Sequence, residues 1–149
     1  MKVVRLTIDN FRGIKSAELL FDGHTLMVGT NNVGKSTLCE ALDLVLGPDR
    51  LNRSPPVDEF DFYNATYILP PAADGEQPQI VPLRIEAVLI EPGAEIAAKC
   101  GGNMEFWHLA EQRLLGPGEL AAANPPAVVP CLRVETVGKY DTDEDEFEA

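Results

Sequence analysis

Val4, Leu6 and Ile8 alternate with Arg5 and Thr7, the period of a strand with one buried face. Asn10-Phe11-Arg12-Gly13 supplies turn residues, and Ala17, Leu19 and Phe21 resume the alternation, so the first twenty or so residues predict an antiparallel hairpin. Asp22-Gly23 marks a second turn. His24-Thr25-Leu26-Met27-Val28 then predicts a short apolar strand running directly into Gly29. Beyond it the period lengthens. Leu38, Ala41, Leu42, Val45 and Leu46 fall at i, i+3, i+4, i+7 and i+8, one face of an amphipathic helix. Gly47-Pro48 stops that helix.

The later pattern is less regular. Residues 48–79 are rich in Pro, Asp and Asn and predict a long surface excursion. Ile80 to Ile90 returns to a strand pattern, with Pro82 favouring an edge position or a start at Leu83. Glu105 to Leu115 predicts a short helix, ended by Gly116-Pro117-Gly118 and followed by a Pro/Ala-rich linker. Cys131 to Val137 is a further strand. Tyr140 to Glu148 reads either as a turn between two strands, the second barely begun, or as the solvated acidic tail such a charge run usually forms. The fold class is α/β: a mixed sheet whose antiparallel hairpin packs on the helix. The length suits one domain with a modest core, divided into hairpin, loop and helix (1–47), excursion (48–79) and a remainder of strands, short helix and acidic end (80–149).

The junction between the strand at 24–28 and the helix carries the candidate chemistry. Gly29-Thr30-Asn31-Asn32-Val33-Gly34-Lys35-Ser36 matches the P-loop pattern G-x-x-x-x-G-K-[ST] in full. Average residue frequencies make a chance match in a chain this long roughly one in a hundred, and the strand before and helix after are the context the motif requires. Gly29 lets the chain leave the strand. Asn31, Asn32, Val33, Gly34 and Lys35 turn backbone N–H groups inward as a concave anion site. The helix adds its free N–H groups and positive dipole end. Lys35 brings a full charge for the β- and γ-phosphates, Ser36 a hydroxyl for Mg²⁺, and Thr37 a group within reach of the α-phosphate. A lysine at a helix N-terminus opposes the macrodipole, an objection that a bound polyanion removes. ATP with Mg²⁺ is the expected ligand.

Charge and cysteine content narrow the partners. The formal net charge is -12, yet residues 1–53 hold seven Lys/Arg against six Asp/Glu while the remainder holds five against eighteen. The second part should repel nucleic acid. Cys39, Cys100 and Cys131 are odd in number, widely spaced and without a C-x-x-C pair, and are expected to be reduced. No apolar run has the length of a membrane span and the first residues lack a signal-peptide pattern, so no membrane partner and a cytoplasmic address are expected.

Hydrolysis needs a second acid for the metal and a group that orients water. Glu91 follows the apolar Ala87-Val88-Leu89-Ile90 but lacks an Asp-Glu pair, and a plain strand end is the favoured reading; Asp58, Glu59 and Asp61 follow no strand. No catalytic residue is assigned. The guanine-reading N-K-x-D is absent, and the acidic second half does not suit the basic lid of a small-molecule kinase.

Val4 to Ile14, the hairpin, Leu26 to Leu38 and Glu40-Ala41-Leu42 together resemble the N-terminal lobe of the ABC-type ATPases of the RecF/SMC group. The double-asparagine loop and Phe60-Asp61-Phe62-Tyr63 resemble most closely the OLD (overcoming lysogenisation defect) ATP-dependent endonucleases. The strong similarity covers about residues 1–65. Beyond that it is loose, but Tyr140-Asp141 through Phe147-Glu148 resembles a strand–turn–strand of the same lobe, which favours the hairpin over an acidic tail. The resemblance implies an ATP-binding lobe whose signature motif, Walker B acids and switch histidine lie in a partner lobe, head-to-head homodimers around ATP, and DNA handling through domains not found here. It also implies that Arg12 lies near the nucleotide and Asn32 near the γ-phosphate. The expectation is therefore the N-terminal part of an OLD-like or RecF-like ATPase, a truncated product or a fragment, which binds ATP with little hydrolysis. A complete small P-loop NTPase or kinase of another family, and a non-enzymatic ATP-binding interaction protein, stay open.

Overall fold

A computed structural model describes residues 1–29, 34–47, 54–73, 75–121 and 127–149. The hairpin forms as its alternation dictates. Strand β1 (Lys2–Phe11) pairs antiparallel with β2 (Ile14–Leu20), placing Leu6 opposite Leu19 and Ile8 opposite Ala17. On its other side β1 pairs with β5 (Leu83–Ile90), with a register shift between Val3 and Arg5. β5 pairs in turn with β8 (Val128–Asp141), which also carries β6 (Glu105–His108) and, near its C-terminal end, β9 (Glu146–Glu148). With β7 (Arg113–Leu114) the sheet runs β2-β1-β5-β8-β6-β7, and β9 joins β8. A separate two-stranded ribbon pairs β3 (Ile68–Leu69) with β4 (Gln79–Ile80).

Every strand pair among the described residues is antiparallel, so the mixed sheet is corrected. A parallel pair needs a long crossover between its strands, and the segment best placed to supply one, residues 24–28, forms no strand. Leu26 and Val28 are 87% and 83% exposed. Apolar composition alone does not make a strand; a ladder partner must take up its N–H and C=O groups.

Helix α1 (Lys35–Leu46) packs on one face of the sheet. Its Ala41, Leu44 and Val45 are buried with Leu6, Ile8, Phe11, Leu83, Ile85 and Ala87. The buried stripe is turned slightly from the expected one: Leu44 is inside, while Leu46 is exposed. Two further expectations change. The excursion is not all surface, because Val57 and Phe62 are buried in the same core and Phe62 forms a bridge with Phe11. Residues 105–115 form β6, a turn and β7 instead of a helix. Phe106 and Trp107 suit a pleated surface, and Trp107 fills a second core on the opposite sheet face with Val4, Val88, Ile90 and Cys131. A short helix, α2 (Ala94–Lys99), follows β5.

Pro82 lies just before β5, which starts at Leu83 and is an interior strand. The C-terminal hairpin forms: Tyr140 lies opposite Phe147, and both rings join Tyr67 in an aromatic group with centroids 5.0–5.2 Å apart.

Candidate functional site

Helix α1 begins at Lys35, behind a Gly34 whose φ of 84° lies in the left-handed region. Only glycine occupies that conformation without steric cost. The helix has no side-chain N-cap and no acidic residue in its first turn. Leu38 N–H closes the first turn on the Gly34 carbonyl at 3.1 Å. The N–H groups of Ser36 and Thr37 precede that bond, so no carbonyl of the helix accepts from them. A helix start with no side-chain cap and no acidic residue in its first turn suits an anion.

Lys35 Nζ donates to the Gly29 carbonyl at 2.6 Å, so the two ends of the loop are drawn together. Ser36 is exposed on the first turn and Thr37 half-buried. Gly29, Gly34, Lys35, Ser36 and Thr37 thus belong to one loop-and-helix junction. Asn31, Asn32 and Val33, named with them from the sequence, lie outside the described residues. The donor set fits a magnesium-bound triphosphate: main-chain N–H groups, one ammonium and one exposed hydroxyl.

Arg12 sits at the hairpin turn with φ 48°, and the turn lies beside the helix. A Cβ placed on Gly13 would lie 4.0 Å from Thr37 Oγ1. The Arg12 guanidinium donates from Nε to Asp61 Oδ1 at 2.8 Å and pairs through Nη1 with Glu40 Oε2 at 2.5 Å. Partial burial pulls its pKa down, but the hydrogen bonds and charges of Asp61 and Glu40 outweigh this and the net displacement is upward.

Asp61, weighed in the sequence only as an acid that follows no strand, is instead a partner of Arg12. Its side chain is 3% exposed. It closes a capping box with Asp58 around the 3₁₀ turn Glu59–Asp61: the Asp58 side chain accepts from Phe60 N–H, and Asp61 Oδ2 accepts from Asp58 N–H. The readable signal was the Asp-x-x-Asp spacing, a variant of the capping-box pattern. Glu91 stands at the end of β5 and pairs with Lys2 at 2.8 Å, and that hydrogen bond holds its carboxyl below the usual range. No group of three or more His, Cys, Asp or Glu among the described residues could hold a metal ion. No helix among them is long and apolar enough to cross a membrane.

Residues 1–92 match the family described as AAA ATPase domain. That span holds β1, β2, the loop, α1, the Asp58–Phe62 turn and β5. Similar curated proteins include uncharacterized proteins of Mycobacterium bovis and of two strains of Mycobacterium tuberculosis, each 46% identical over 48 residues. The shared stretch covers 31% of this chain and 6% of each relative, so the chain spans a small part of their length.

Proposed function

This chain belongs to the AAA ATPase domain family, and from that premise we propose that it binds Mg-ATP at Gly29–Thr37 as the nucleotide-binding part of an OLD-like or RecF-like ATPase acting in DNA processing. The observation that carries the reading is the uncapped start of α1 behind Gly34, with Lys35 folded across the loop to Gly29. Thr37 and the amides of Asn31 to Lys35 would hold the phosphate chain, Lys35 its β- and γ-phosphates, and Ser36 the magnesium. Bound magnesium would supply charge neutralisation at the outer phosphates. Arg12, beside the same helix turn, would add a second cation.

The chain alone is expected to hydrolyse ATP slowly. Glu40 and Asp61, the acids tied to this site, both pair with Arg12, and Glu91 pairs with Lys2. The water-orienting and trans-acting groups would come from the remainder of a longer protein or a second subunit, in a cytoplasmic homodimer that meets DNA elsewhere. Calorimetric titration of Mg-ATP into the chain and into Lys35→Ala tests the reading. Saturable binding that weakens at least about tenfold in the variant, as the loss of a charge-assisted contact implies, supports it. Equal affinity in two folded proteins contradicts it.

A further inference from the structure

Arg12 is held by more groups than a surface turn residue needs. Asp61 grips it twice: the Asp61 carbonyl accepts from Arg12 N–H at 2.9 Å and the carboxylate accepts from Nε at 2.8 Å. Asp61 is in turn fixed by its own capping box. Glu40 takes Nη1 from the other side, and it projects from α1 little more than one turn beyond Lys35. A guanidinium has five donors in a rigid fork. With Nε and Nη1 engaged, the plane of the fork is set, and the Nη2 edge has no hydrogen bond among the described residues. The Arg12 side chain as a whole is 32% exposed.

Two carboxylates beside a site built for a polyanion should oppose its ligand. Their placement is accounted for if each holds Arg12 in the orientation the ligand uses. We propose that Asp61 and Glu40 are positioning residues that hold Arg12 toward the phosphate chain of a nucleotide at the start of α1. The proposal rests on the nucleotide-binding reading above and adds two residues to it. It also assigns a role to the buried part of the 54–69 segment: it carries the clamp that orients a cation contributed by the hairpin.

The sign of the effect separates positioning from simple electrostatics. Neutralising a carboxylate near bound phosphates should tighten binding if only charge matters. Loss of positioning should weaken it. Mg-ATP affinity is measured for the wild type, Lys35→Ala, Arg12→Ala, Glu40→Gln, Asp61→Asn and the doubles of the last two with Arg12→Ala, with circular dichroism confirming each fold. Glu40→Gln changes a half-exposed side chain and keeps the test available if Asp61→Asn does not fold. The expected result is weakening of about five- to tenfold in each neutralised variant, with no further loss once Arg12 is alanine, the non-additivity of residues acting through one group. Unchanged or tighter binding in Glu40→Gln, or the same loss with and without Arg12, overturns the proposal while leaving the phosphate site standing. Equal binding by wild type and Lys35→Ala removes both.

Discussion

Gly34 and Gly47 bracket α1 for different reasons. Gly34 has φ 84° with open space where a Cβ would go, so its requirement is purely conformational. Gly47 has an ordinary φ of -84°, but a Cβ there would lie 2.5 Å from the Asp43 carbonyl oxygen. Gly34→Ala is expected to lower stability by about 1 kcal/mol, and Gly47→Ala by about 1–3 kcal/mol because backbone must shift; urea midpoints give both. Cys131 makes a pH prediction. Burial raises its thiol from an ordinary 9.0 to about 11, so the folded state keeps a proton that the unfolded state loses first. Stability therefore falls as pH rises from about 9 to about 11, and Cys131→Ala removes the part of that fall due to this thiol, leaving the smaller parts due to Tyr140 and Lys139, which are also displaced upward. At neutral pH thiol reagents should label exposed Cys39 readily and Cys131 only on unfolding.

At the scale of elements, period decided what could be read. β1, β2 and α1 were legible because each repeats its apolar positions several times. Val57 and Phe62 were not, since two single apolar residues among Pro and Asp carry no period; a cross-chain bridge from Phe11 brings Phe62 inside. Residues 105–115 were misread because a short apolar run fits both periods, and β8 arbitrates by offering a ladder. The C-terminal hairpin was favoured by the family resemblance, since its acidic turn alone also fits a solvated tail, and its strength lies in the aromatic group. Phe147→Ala, which loses contacts with Phe62, Tyr67 and Tyr140, is expected to cost about 2–3 kcal/mol in chemical denaturation, below a fully buried phenylalanine because the ring is half-buried. The segment at 24–28 gives the opposite expectation. Leu26→Lys should change the stability of this chain by no more than about 0.5 kcal/mol, since the side chain buries almost nothing.

For the whole molecule, the sheet divides its labour. One face packs α1 and the clamp on Arg12; the other mixes a small core around Trp107 with ion pairs such as Arg5–Glu86 and Arg133–Glu105. Neither these paired cations nor a net charge of -12 offers a phosphate-backbone footprint. Fluorescence anisotropy with duplex DNA at physiological salt should therefore show no binding tighter than about 10⁻⁴ M, the weak limit of non-specific association. Tight binding would place a DNA surface within this chain.

The phosphate site itself is tested most directly by nuclear magnetic resonance. Mg-ATP is added to ¹⁵N-labelled protein and the backbone amides are followed. The expected result is that Gly34, Lys35, Ser36 and Thr37 shift most, together with Arg12 Nε. Saturating shifts centred elsewhere on the sheet, or none at millimolar nucleotide with the spectrum of a folded protein, would contradict a triphosphate seated on the first turn of α1.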